Sequence, residues 1–239
     1  MQCNRKLYAT MTMNDIADLT KTYFPDYKRI ASNAYNIDYG NLWEKPMYQS
    51  NSTFLKLKQK YGSKPLNRDS IINLFNQGKY YEAFLCAMVW GNFGTYLGGK
   101  TRFNEVFDAA NKTTIENNIN GVINLLQQGN VACAFNSLCN NNCYKINGVG
   151  ISFFTKLLYF AGASITNPPL NPQPLIFDSV MKGVYEKILK RINATKPKGL
   201  VNQYIDYCNK MEQLRSLINL PTVGHVEALL FDKKVQGIL

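Results

Sequence analysis

A single histidine, His225, occurs in the 239 residues of this chain. That scarcity argues against a hydrolase built on a histidine base and leaves lysine and carboxylates to carry any catalysis. Long apolar runs are missing as well. None approaches the roughly 18 residues of a membrane span, and the opening MQCNRKLYATMTMND has no apolar core of the kind a secretory signal needs. A cytoplasmic protein with no membrane partner is therefore expected. Acidic residues are few: 16 Asp and Glu stand against 27 Lys and Arg, giving a formal charge of +11 and a pI near 9.3. Such a balance calls for a polyanionic partner, which nucleic acid or an anionic membrane surface would supply.

Metal-site spacing is absent too. The six cysteines, Cys3, Cys86, Cys133, Cys139, Cys143 and Cys208, include no C-x2-C pair. No histidine lies near the cluster at 133–143, so neither a zinc nor an iron–sulfur site is indicated. In a reducing compartment these residues are free thiols, and no metal or organic cofactor is implied. Alternating β-branched runs are also scarce, while apolar residues recur at three- and four-residue spacing, which predicts a mostly helical protein. A hydrophobic content of 46% is enough for a substantial core and excludes disorder.

What is present can be read as helices. One is predicted over 14–24 with Asn14 or Asp15 as cap, ending before Pro25, and 45–53 reads as a loop. Asp69 or Ser70 is a candidate cap for the next, and KYYEAFLCAMVWG is a strongly apolar helix ending near Gly91. Further helices are expected at about 102–111, 114–128, 129–139, 179–192, 199–218 and 223–232. The stretch SITNPPLNPQPL cannot be helical through its prolines. Residues 94–101 fit the phosphate-loop pattern G-x-x-x-x-G-K-[ST], but a helix precedes them where that motif requires a strand, so a nucleotide site is not indicated.

The most informative stretch is NGVGISFFTKLLYFAGA, residues 147–163. A turn at Gly148-Val149-Gly150 opens a helix that is apolar on nearly every side and carries one charge, Lys156. Glycines at positive φ in such a turn let backbone N–H groups converge on an anion at the helix N-terminus. A lysine in an all-apolar helix either snorkels to water or is held for its chemistry. Further on, PLIFDSVM places Asp178 to cap the following helix. Lys182, Lys187, Lys190, Arg191, Lys196 and Lys198 come next, with only Glu186 against them.

INGVGISFFTKLLYFAGA with PLIFDSVM resembles the helix-hairpin-helix and catalytic-aspartate segments of the HhH-GPD DNA glycosylases, most closely the bacterial 8-oxoguanine DNA glycosylase-like group. WGNFG and VEALLFD (226–232) are similar to that group too, so the resemblance covers roughly residues 80–232. It implies a two-lobed all-α fold in which the hairpin, at about 139–162, grips one DNA strand and the lobes enclose an extruded base. Residues 71–239 would form this core, with the aspartate segment at 174–192, and residues 1–70 would pack on it as an N-terminal helical segment.

By position, Lys156 would be the nucleophile and Asp178 the essential carboxylate. In the better-known members the lysine stands two residues after the last hairpin glycine, where this chain has Ser152. Lys156 lies one turn on, on the same face, and Phe153, Lys156 and Tyr159 fit the F-x-x-K-x-x-Y-like segment of the bacterial and archaeal groups. Lys145, Gly148, Val149, Gly150, Ser152, Ser179, Lys182, Lys190 and Arg191 are the expected DNA contacts. Trp90, Phe93 and Tyr159 would stack on a flipped base. The implied partner is double-stranded DNA carrying a damaged or modified base, bound by a monomer. The implied activity is base excision, of 8-oxoguanine first, with abasic-site lyase activity as a further step. A glycosylase for another base, such as a modified pyrimidine in foreign DNA, and a non-catalytic hairpin protein are the alternatives.

Overall fold

The computed structural model describes residues 10–93, 100–139 and 142–238. The glycine-rich stretch at 94–99, and with it most of the phosphate-loop pattern, lies outside the described residues. Helices account for the fold. They are α1 (Met13–Tyr23), α2 (Tyr27–Tyr35), α3 (Pro46–Gln49), α4 (Ser52–Tyr61), α5 (Arg68–Asn76), α6 (Tyr80–Trp90) and α7 (Lys100–Val106), then α8 (Lys112–Gln127), α9 (Val131–Leu138), α10 (Ile151–Ser164), α11 (Ser179–Arg191), α12 (Leu200–Ile218), α13 (Val223–Leu230) and α14 (Lys233–Ile238). Among the described residues there is no β-strand, and the protein is all-α.

Local chemistry sets the helix starts, not always where the sequence suggests. Helix α1 begins with a capping box in which Thr12 accepts from the Asp15 N–H and the Asp15 carboxylate accepts from the Thr12 N–H, so Thr12, and not Asn14 or Asp15, is the cap. Asn67, not Asp69 or Ser70, caps α5, and Ser70 closes the box from inside. The expected loop at 45–53 instead holds α3 and the start of α4. Pro46 stands at the first position of α3, where its missing N–H costs nothing, and Asn51 caps α4.

Helix α10 is surrounded. It packs on α5, α6, α8 and α9, and every residue from Phe154 to Gly162 is buried. An inner helix has no solvent face to fill with polar residues, which is why this one is apolar all round. The N-terminal helices close against the C-terminal ones: α1 lies on α12 and α2 on α13. Residue 70 falls inside α5, which contacts α10 directly.

Candidate active site

The turn into α10 is built by one glycine rather than two. Gly148 has φ of +80°, which an L side chain rarely adopts, and a Cβ there would collide with the Val106 side chain. Gly150 is the N-cap, with ordinary extended backbone (φ −82°, ψ 177°), and a Cβ added to it would meet nothing within 4 Å. The expectation that both glycines serve the turn's geometry is thus corrected for Gly150, which instead keeps exposed space open at the head of α10. Val149 is corrected as well. Its side chain is buried and its N–H is consumed by the Ile146 carbonyl at 3.0 Å, so it anchors the turn and that N–H is not offered to a phosphate. The N–H groups of Ile151 and Ser152 belong to the first turn, which has no intrahelical partners to offer them. Lys145 is half-buried, with its carbonyl held by Asn118 Nδ2 at 2.9 Å.

One turn into α10, Lys156 is 6% exposed. Among the described residues it makes no ion pair, and its ammonium nitrogen lies 2.6 Å from the carbonyl oxygen of Ser152 and 4.7 Å from the centre of the Phe153 ring. Burial pulls its pKa below the ordinary lysine value, with Arg68 acting in the same sense and the carboxylates of Asp178 and Glu227 opposing.

Asp178 reaches this neighbourhood on an extended segment that no sheet supports. An extended chain buried without strand partners must satisfy its peptide groups some other way, and here side chains do so one residue after another. The Tyr204 hydroxyl accepts from the Leu175 N–H at 3.1 Å and donates to the Leu175 carbonyl at 3.0 Å. Glu227 accepts from the Ile176 N–H at 3.0 Å, and the Tyr207 hydroxyl donates to the Ile176 carbonyl at 3.0 Å. Thr155 Oγ1 accepts from the Phe177 N–H at 3.0 Å while donating to the Ile151 carbonyl. Asp178 then caps α11, accepting from the Met181 N–H at 2.9 Å, as its sequence position suggests. The bond from Phe177 to Thr155 joins the immediate neighbours of Asp178 and Lys156, so the two candidate catalytic residues are fixed relative to each other through the backbone.

Behind them is a second buried cation that sequence reasoning missed. Arg68 is 5% exposed and Glu227 1%, and they pair at 2.6 Å. The guanidinium lies 5.3 Å from the Tyr35 ring, 5.0 Å from Trp90 and 5.5 Å from Tyr159, within the range of cation–π attraction. Burial raises the pKa of Glu227, opposed by Arg68 and by the Ile176 N–H. A clue existed: like Lys156, Glu227 is a charge in an otherwise apolar helix.

These elements coincide with a known family. The family described as "OGG: Putative 8-oxoguanine DNA glycosylase OGG-like protein" matches residues 37–231. The chain belongs to it. A search of the curated proteins and of the solved structures returned no match. The region matched to the OGG-like family includes Lys156, Asp178, Arg68, Glu227 and both tyrosines of the extended segment.

Other expected site residues of this OGG-like chain are dispersed. Ser179 is exposed, and Lys182, half-buried beside it, holds its ammonium 5.3 Å from the Phe177 ring. Lys190 and Arg191 are exposed at the far end of α11, about 12 Å from Lys182 along the axis. Among the basic residues, Lys196 pairs with Glu186 and Lys187 donates to the Gln236 carbonyl. The aromatic trio needs correction. Phe93 is packed among Phe103, Phe107 and Phe153, and Tyr159 is buried with its hydroxyl against Gly224, so in this structure both are core. Trp90 is partly exposed as a residue, but its indole N–H is buried and lacks a hydrogen-bond partner among the described residues, so that donor does not face open space. No group of described residues has the composition of a metal site, and no helix among them is long and apolar enough to cross a membrane.

Proposed function

We propose that this protein excises a damaged or modified base, 8-oxoguanine in the first instance, from double-stranded DNA, with Lys156 as nucleophile and Asp178 as the stabilising carboxylate. The observation that supports the reading is the hydrogen bond between Thr155 and Phe177, which ties the chain neighbour of a buried lysine, one without an ion pair among the described residues, to the chain neighbour of a helix-capping aspartate. Burial favours the neutral amine, the form that attacks. Its lone pair forms a bond to the sugar carbon as the glycosidic bond breaks. The bonding electrons leave with the base, which takes up a proton, and positive charge growing on the sugar is offset by Asp178. Ring opening then gives a Schiff base, from which elimination would nick the strand.

The open head of α10 is the place for a DNA phosphate, received by first-turn N–H groups in helix-hairpin-helix fashion. Lys182 and the basic end of α11 would follow the backbone. The test is base release from duplexes each carrying one lesion, under single-turnover conditions without nucleotide or metal. Release from one lesion class is expected, and Asp178→Asn, which keeps a capping oxygen, should slow it by about 10²- to 10³-fold. Binding without release from any duplex would point instead to a non-catalytic hairpin protein.

A further inference from the structure

Lys156 approaches its position across the end of α6, and the residue there is Gly91. A methyl group at position 91 would stand 2.6 Å from Cδ and 2.6 Å from Cε of Lys156, far inside the 3.5–4.0 Å of carbon–carbon contact. Backbone conformation does not demand glycine: φ is −79° and ψ 1°, values open to any residue, and the Gly91 N–H makes an ordinary bond to the Ala87 carbonyl at 2.9 Å. What the missing side chain provides is a groove for the lysine stem. The groove runs from α6 to the ammonium that rests on the Ser152 carbonyl, 4.7 Å from the centre of the Phe153 ring.

We propose that Gly91 is a positioning residue for Lys156, a seat without which the amine leaves its buried place beside the aspartate segment. The inference rests on the glycosylase reading only for its catalytic consequence; the seat itself is a statement about Lys156.

The experiment uses the full chain labelled with 13C at lysine Cε, with Lys156 assigned by loss of its resonance in Lys156→Ala. In the parent, the Lys156 resonance is expected to titrate below the ordinary lysine value, because the amine is buried. In Gly91→Ala the stem is displaced toward water, and the resonance should move up toward that ordinary value. On lesion-bearing DNA the single-turnover rate should fall by about 10²-fold, the scale of a 1 Å misplacement, with DNA affinity unchanged. A folded Gly91→Ala protein whose Lys156 titrates as in the parent, or which keeps the rate of an active parent, overturns the proposal. Should Gly91→Ala fail to fold, the double variant Gly91→Ala/Lys156→Ala decides. Folding of the double variant supports the seat, because the truncated lysine leaves room for the methyl group, and failure of both overturns it. If the parent excises no base yet the Lys156 titration moves in Gly91→Ala, the seat stands and the glycosylase reading falls.

Discussion

Two cations are buried in this molecule to almost the same degree, and they are treated oppositely. Arg68 has a carboxylate at 2.6 Å and three aromatic rings around it; Lys156 has a carbonyl oxygen, one aromatic ring and no ion pair among the described residues. A fully charged guanidinium can be kept inside a protein only by such compensation. A lysine left without it loses its proton more readily, which is a cost to stability and a gain for a nucleophile. Arg68 thus belongs to the frame: through Glu227 it holds the Ile176 N–H, two residues before Asp178. Lys156 is the residue to which the proposed reaction assigns the attack.

The comparison is broken most forcefully by replacing each cation with methionine. Arg68→Met leaves Glu227 buried without its partner and should cost about 3–5 kcal/mol, seen as a lower denaturation midpoint with an unchanged slope. Lys156→Met removes a buried amine that has no ion pair among the described residues and keeps the stem volume, so stability should hold or rise while base release is lost. Equal destabilisation by both would show that the two cations play the same structural part. A smaller effect is expected from Thr155→Val, which leaves the Phe177 N–H buried without an acceptor, at a cost of about 1–3 kcal/mol. Its excision rate should fall even in protein that remains fully folded, because the tie between the lysine helix and the aspartate segment is gone.

The smallest effect is one of pH. Because the folded-state pKa of Lys156 is lowered, the unfolded chain binds more protons there between that value and about 10.4. Stability contributed by this group therefore rises with pH across that window. The stability advantage of Lys156→Met should be greatest below the window and shrink as pH rises through it. Tyrosines titrate in both proteins and cancel in the difference. An advantage constant with pH would place the Lys156 proton affinity at its ordinary value.

Lys156 and Asp178 were legible in the sequence because each breaks a local pattern: a charge in an apolar helix, and an aspartate between an apolar run and a helix start. Glu227 breaks a pattern too, as a carboxylate in an apolar helix, but what it and Arg68 do was not legible, since it lies in a partner 159 residues away. Tyr204 and Tyr207, three apart on α12, carry nothing in the sequence that sets them apart from core aromatics. Only the fold shows that their hydroxyls take the place of a neighbouring strand for residues 175–176. Gly150 misled for a different reason: glycine is used both for positive φ and for open space, and sequence does not separate the two. The first 70 residues carried none of the resemblance, yet the family match begins at residue 37, and this stretch supplies α1 and α2, which pack on α12 and α13, and the start of α5, which packs on α10.

The central claim is that Lys156 becomes covalently attached to DNA, and its most direct measurement is borohydride trapping during reaction with a lesion-bearing duplex, followed by mass-spectrometric mapping of the adduct. A single adduct at Lys156, absent in Lys156→Ala protein that still binds the duplex, is the predicted result. An adduct mapped to another lysine, or base release that persists undiminished in Lys156→Ala, would contradict it.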